Sequence, residues 1–167
     1  MTRRVALGLG ANLGDARGTV TEAIAALSAD PGLANPRASG LYRTSPVGGV
    51  EQPDFVNAVL VADTDLGPDE LLAMAMAVEQ RHGRVREVRW GPRTLDVDVL
   101  ALGGLASSDP RILLPHPRAH ERAFVLVPWA EVDPDATLGE WGTVADRLRS
   151  LPAAERDDVR RIDEVSP

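Results

Sequence analysis

The chain of 167 residues carries 25 acidic against 18 basic side chains, has a formal charge of -7 and contains no cysteine. Disulfides, thiolate nucleophiles and cysteine-ligated zinc are therefore excluded. Every basic residue is an arginine, which also removes a Walker-type phosphate loop, the usual protein-kinase lysine and Schiff-base chemistry. A net acidic chain argues against a broad nucleic-acid footprint, no apolar run reaches the ~20 residues of a membrane helix, and MTRRVALGLG lacks a signal-peptide core. These features lead us to expect one cytoplasmic, monomeric domain over 1–167 that handles small molecules.

Val5, Leu7 and Leu9 alternate with small residues, as in a buried strand that enters a glycine-rich turn. Gly8, Gly10 and Gly14 do not have the spacing of a dinucleotide fingerprint, so tight-turn geometry is the expected reason for them. Asp15 is a suitable N-cap for a helix whose Val20, Ala23, Ile24 and Leu27 recur at helical spacing before Asp30, Pro31 and Gly32 stop it. Arg37 to Ser45 reads as a second, weaker strand. After the turn-rich SPVGGVEQPD, Phe55 to Thr64 reads as a third, with Phe55, Asn57, Val59 and Val61 on one face. Gly67, Pro68, Asp69 and Glu70 open a second helix that runs to about His82 and ends at Gly83. In it Leu72, Met76 and Glu79 share a stripe, which sets Glu79 on a largely apolar face.

The stretch Arg81–Leu100 is the most informative. It places five arginines against a single acid, Glu87, holds Trp90 between Gly83, Gly91 and Pro92, and then alternates. On a strand from Arg93 to Leu102, Asp96 and Asp98 point to one face while Leu95, Val97 and Val99 point to the core. Adjacent carboxylates repel unless a cation lies between them. Hard divalent ions such as Mg²⁺ take one or two carboxylates plus phosphate oxygens, and guanidinium groups grip phosphate in pairs. A metal-bound polyphosphate site follows. A bare Asp-x-Asp is also used by nucleotidyl- and glycosyltransferases, and a non-catalytic ligand-binding module is the other alternative.

The order strand, helix, strand, strand, helix, strand predicts an α+β, ferredoxin-like βαββαβ core with its helices on one face of an antiparallel sheet. Residues 109–135 read as mixed turn and helix. Val144, Leu148 and Leu151 mark an additional C-terminal helix, and the charged tail from Asp157 forms at most a short edge strand.

YRTSPVGGVEQPDFVNAV, GRVREVRWGPRTLDVDVL, LPHPRAHERAFVL and the opening GLGANLGD resemble the 6-hydroxymethyl-7,8-dihydropterin pyrophosphokinases across about residues 3 to 135. The resemblance implies a ferredoxin-like fold and transfer of a pyrophosphoryl group from MgATP to the pterin hydroxymethyl oxygen in folate biosynthesis, with AMP released. It implies two Mg²⁺ ions on Asp96 and Asp98 and ATP as co-substrate. It sets Arg84 and Arg93, together with the two aspartates, in the catalytic role. Glu79, Arg84, Arg86, Trp90, Arg93, Ile112, His116 and Arg122 become the ATP-contacting set. Thr44, Ser45, Pro46, Val47, Phe55, Asn57, Trp90 and Phe124 become the pterin-contacting set. Arg111, Arg118 and His120 read as surface residues, and Pro117 stands where other members carry an aromatic.

Overall fold

The computed structural model describes residues 2–46, 51–82 and 94–162. In strand β1 (Arg3–Ala11), Val5, Leu7, Leu9 and Ala11 are buried toward one side, while Ala6 belongs to the core on the other. The remaining strands are β2 (Ala34–Ala38), β3 (Tyr42–Thr44), β4 (Phe55–Thr64), β5 (Asp96–Leu102) and the two-residue β6 (Arg160–Arg161). Among the described residues they form one sheet in the order β5-β1-β4-β3-β6, with β2 also paired to β4. All pairings are antiparallel. The central β5-β1-β4 order, with β2 and β3 sharing the next position, is that of the expected ferredoxin-like core.

Two helices cover the first face. Helix α1 (Ala16–Ser28) is capped by Asp15, which accepts from Gly18 N, and it buries Val20, Ala23 and Leu27. Helix α2 (Pro68–Arg81) starts at a proline behind Gly67, where Gly67 N donates to Glu70, so the missing proline N–H costs nothing. Their side chains merge with Leu7, Leu9, Leu60, Leu95, Val97 and Val99 into a continuous aliphatic core.

The opposite face departs from the expectation of helices on one side only. Helix α3 (Ala123–Val132) and helix α4 (Val144–Ser150) cover part of it, and Leu126, Trp129 and Val144 pack there with Ala6, Val59, Val61 and Leu100. Helix α3 is apolar along most of its length, which hid its period in the sequence. It is tied down at its C-terminal end, where Arg37 donates to Val132 O at 2.6 Å and Arg4 reaches Asp133 at 3.3 Å. A short α5 (Ala153–Asp157) then leads to β6.

Two strand boundaries and the buried face of one helix also differ from the sequence reading. The second strand is two strands, because Ser39 interrupts it: its Oγ accepts from Val59 N at 2.9 Å, and the next N–H, of Gly40, donates to the Glu131 carboxylate instead of a strand. The fourth begins at Asp96, and Arg93 lies outside the described residues. The buried stripe of α2 is Leu71, Ala75, Val78 and Glu79, whereas Met76 is exposed. Gly8 and Gly10 are strand residues; of the three opening glycines, only Gly14 has a positive φ, at +58°.

Candidate functional site

Where α3 and α4 leave the second face uncovered, the sheet floors a cleft of about 900 Å³. Its floor follows from strand alternation. Asp96 and Asp98 both turn to this side of β5 and are partly buried, while Val97 between them is buried in the opposite core. Across the ladder Asp96 pairs with Gly10 and Asp98 with Gly8. With no side chain on either partner, β1 can be approached closely beside the carboxylates, and the Leu100 side chain lies 3.3 Å from where a Cβ on Gly8 would stand. One strand further, Gly10 pairs with Asn57 and Gly8 with Val59.

Gly10 has a second consequence. A Cβ there would stand 2.9 Å from Asn57 Oδ1, so the bare backbone lets the Asn57 amide lie across β1. Asn57 is 5% exposed, and its Nδ2 donates to Thr44 Oγ1 at 2.9 Å. In this orientation the amide nitrogen faces Thr44 and the oxygen faces Gly10 as an acceptor. Phe55, on the same face of β4, and Phe124, on α3, line the same cleft with Thr44 and Ser45. Asn12, 2% exposed, donates to Gln52 Oε1 and Pro53 O at 2.8 and 2.9 Å and so anchors the chain that enters β4.

The far wall is charged with both signs, Arg118 being paired to Glu121 at 2.8 Å. Arg122 precedes α3 and lines the cleft with Arg118. Burial, followed by the neighbouring charge of Arg118, lowers its pKa from the ordinary arginine value, and attraction to Asp98, Glu121 and Asp96 opposes this. A further anion at this wall would offset the burial cost. His116 is half-buried at the same place. Burial lowers its pKa, Asp98 raises it, and Arg122 and Arg118 lower it. The neutral ring is therefore favoured, and because Nδ1 accepts from Arg118 N at 3.2 Å, the proton of that ring sits on Nε2.

Of the residues expected from the sequence, the structure brings Thr44, Ser45, Phe55, Asn57, Asp96, Asp98, Arg122 and Phe124 to one cleft. Glu79 and Ile112 are elsewhere. Glu79 is 6% exposed beneath α2, where its Oε2 accepts from Val97 N at 2.9 Å. Ile112 is packed in the aliphatic core. Val47, Arg84, Arg86, Trp90 and Arg93 lie outside the described residues. Arg118, read as a surface charge, lines the cleft, and Glu121 and Glu155 do so as well. Arg111 is paired with Asp109 and Asp69. His120 stacks on Trp141 at a centroid distance of 4.0 Å. The cleft roles of Gly8 and Gly10 were missed, although an alternating Gly-x-Gly beside an alternating Asp-x-Asp is a signal once the two strands are known to pair.

Among the described residues no three histidine, aspartate or glutamate side chains cluster as a metal site. Two carboxylates on an open strand face nevertheless suit a hard divalent ion whose remaining ligands are phosphate and water oxygens.

Residues 6–134 match the family model described as 7,8-dihydro-6-hydroxymethylpterin-pyrophosphokinase (HPPK). The chain is 48% identical over 148 residues to the 2-amino-4-hydroxy-6-hydroxymethyldihydropteridine pyrophosphokinase of Methylorubrum extorquens, covering 89% of this chain and 93% of that one. It is 40% identical to the enzyme of the same name from Pseudomonas aeruginosa, covering 91% and 94%. A crystal structure of Plasmodium falciparum HPPK-DHPS wild type with pteroate superposes with a TM-score of 0.68 at 14% identity, over 89% of this chain. The chain spans 42% of that longer protein, and at this identity the likeness speaks for the fold alone.

Proposed function

The chain belongs to the 7,8-dihydro-6-hydroxymethylpterin-pyrophosphokinase family, and from that premise we propose that the cleft on the second sheet face is where it transfers a pyrophosphoryl group from ATP to the hydroxymethyl oxygen of the pterin. The enzyme is a 2-amino-4-hydroxy-6-hydroxymethyldihydropteridine diphosphokinase of folate biosynthesis. In the proposed reaction the pterin oxygen forms a bond to the β-phosphorus of ATP, the bond from that phosphorus to the oxygen of AMP breaks, and the hydroxyl proton is released. The observation that carries this reading is the pair Asp96 and Asp98 facing Gly10 and Gly8 in the same cleft as Asn57, Phe55 and Phe124.

Each residue is assigned a role that its chemistry can fill. Asn57 offers an acceptor and, through its pairing with Thr44, a fixed orientation to the pyrimidine edge of the pterin. Phe55 and Phe124 supply apolar faces for a flat bicyclic ring. Asp96 and Asp98 would hold Mg²⁺, two ions by the family resemblance, and these would neutralise phosphate charge and favour in-line displacement. Arg122 balances the remaining negative charge from the opposite wall, and neutral His116 offers an Nε2–H to a phosphate oxygen. The transition state of such transfers is loose, so alignment and charge neutralisation matter more than a strong base. Arg84, Arg86, Trp90 and Arg93 complete the proposed ATP and pterin contacts by resemblance. The single-domain reading of 1–167 is part of the same proposal.

The test is product identity. AMP formed from ATP only when Mg²⁺ and the pterin alcohol are both present is the expected result. Release of pyrophosphate or ADP would put the chain's chemistry at another phosphorus, and absence of turnover would make the cleft a binding site only.

A further inference from the structure

Thr44, which orients Asn57, is the last residue of β3, a strand of only three residues. On one side β3 pairs with β4, and on the other it is covered by β6, itself two residues long. So short a strand has few ladder bonds to hold its end in place. Beyond that end Ser45 is fastened from the C-terminal segment: the Asp158 carboxylate accepts from Ser45 N at 3.1 Å through Oδ2 and from Ser45 Oγ at 2.9 Å through Oδ1. Two residues further on, Arg160 approaches Asp54 at 3.6 Å, immediately before Phe55. Ile162 N then donates to Leu41 O at 2.8 Å. The tail thus meets the chain just after Thr44 and again just before Phe55, the two points from which the proposed pterin contacts enter the cleft.

We propose that Asp158 is a positioning residue for pterin recognition. By gripping both the backbone N–H and the hydroxyl of Ser45, it sets the height of Thr44 beside Asn57, with Arg160 making a weaker second contact on Asp54. Two hydrogen bonds to one carboxylate are charge-assisted and geometrically restrictive, whereas an exposed ion pair at 3.6 Å contributes little. Asp158 lines the same cleft, and in this proposal it acts on substrate affinity through the position of Ser45 and Thr44. This inference rests on the assignment of Asn57 to the pterin, so the experiment begins from the wild-type enzyme.

Pterin-alcohol binding is measured by calorimetry, and KM and kcat by AMP formation, for the wild type and for Asp158→Ala, Asp158→Asn, Ser45→Pro and the double variant Ser45→Pro/Asp158→Ala. Asp158→Ala is expected to weaken pterin binding and raise its KM by about tenfold, with kcat, the KM for ATP and Tm nearly unchanged. Asp158→Asn, which keeps one acceptor, recovers part of the loss. Ser45→Pro removes both donors, so in that background Asp158→Ala adds nothing. An unchanged pterin KM in Asp158→Ala, or fully additive effects in the double variant, overturns the inference while leaving the proposed function intact. Failure of the wild type to bind the pterin alcohol overturns both.

Discussion

The two faces of β1 and β5 are separated by a single step in register and have opposite fates. On one face Leu7, Leu9, Val97 and Val99 meet α1 and α2 in a closed aliphatic core. On the other, Gly8, Gly10, Asp96 and Asp98 form the floor of an open cleft. Residues one apart on a strand point to opposite sides, so the core residues fix the position of the chemical ones without sharing their environment. The glycines opposite the aspartates let neighbouring side chains lie close over β1: a Cβ on Gly10 would press on the Asn57 amide and one on Gly8 on Leu100. Stability and proposed chemistry are thus carried by alternate residues of the same two strands and should separate cleanly under mutation.

The strongest test of that separation compares Asp98→Ala with Leu7→Ala. Asp98→Ala is expected to keep the melting temperature near that of the wild type and to lower turnover on the order of 10²- to 10³-fold or more, through loss of a carboxylate that would hold the divalent ion. Leu7→Ala leaves a cavity in the opposite core and should destabilise by about 2–5 kcal/mol, while molecules that remain folded keep their kcat. Calorimetric melting and steady-state AMP formation read both quantities. Loss of stability in Asp98→Ala with unchanged kcat would reverse the assignment of the faces.

Asn57→Ala is the next largest. Its amide is nearly buried and paired to Thr44, and removing it should weaken pterin binding by about 1–3 kcal/mol, the cost of leaving polar groups of the ligand unpaired. Titration calorimetry with the pterin alcohol, beside an unchanged ATP affinity, checks this. A smaller effect comes from Gly10→Ala, which adds one methyl where Asn57 Oδ1 already stands 2.9 Å away. The amide must shift, and a loss of about 1 kcal/mol in pterin affinity follows. Gly8→Ala has only the flexible end of Leu100 at 3.3 Å to displace and should affect pterin binding less. If the two glycine variants weaken it equally, the separation of Asn57 from the carboxylate pair is wrong.

The regularity of the first face is also why the sequence disclosed it. Asp15, Pro68 and the alternation of Phe55 to Thr64 are local signals, and the helices and β4 start where those residues place them. On the second face the determinants are distant in sequence. Asn12 meets Gln52 across 40 residues, and Asp158 meets Ser45 across 113; no periodicity encodes such contacts. Ser39 broke a strand by substituting its hydroxyl for a backbone partner, an exchange visible only once β4 lies alongside. The segment of α3 read as mixed turn and helix, as the structure has it, but its bounds stayed open because its mostly apolar sequence has no polar face to reveal a helical period. The Asp-x-Asp alternation could be read directly from β5, but the Gly-x-Gly beside it acquired meaning only through the pairing of β1 with β5.

The smallest predicted effect concerns how α3 is held against the sheet at the edge of the cleft. Tyr42, the single tyrosine of the chain, donates its hydroxyl to Glu131 on α3 at 2.6 Å. The same carboxylate accepts from Gly40 N at 3.1 Å and lies 3.7 Å from Arg161. Burial, then the hydrogen bond to Glu131 and its charge, push the Tyr42 pKa up to about 12, with Arg161 acting in the other direction. A folded-state pKa above the unfolded value of about 10 means that the native state holds the proton more tightly. The stabilisation is therefore fully present below about pH 10 and is lost as pH rises toward about 12. Absorbance at the tyrosinate band should titrate in one step, near 12 in the native protein and near 10 in denaturant. Tyr42→Phe removes that step and flattens the stability curve over the same window. It should leave pterin affinity almost unchanged, because the Tyr42 hydroxyl engages Glu131 and Asn57 has Thr44 as its partner. A native titration near 10 would mean that Glu131 does not hold the phenol, and that α3 is anchored to the sheet by Arg37 and Arg4.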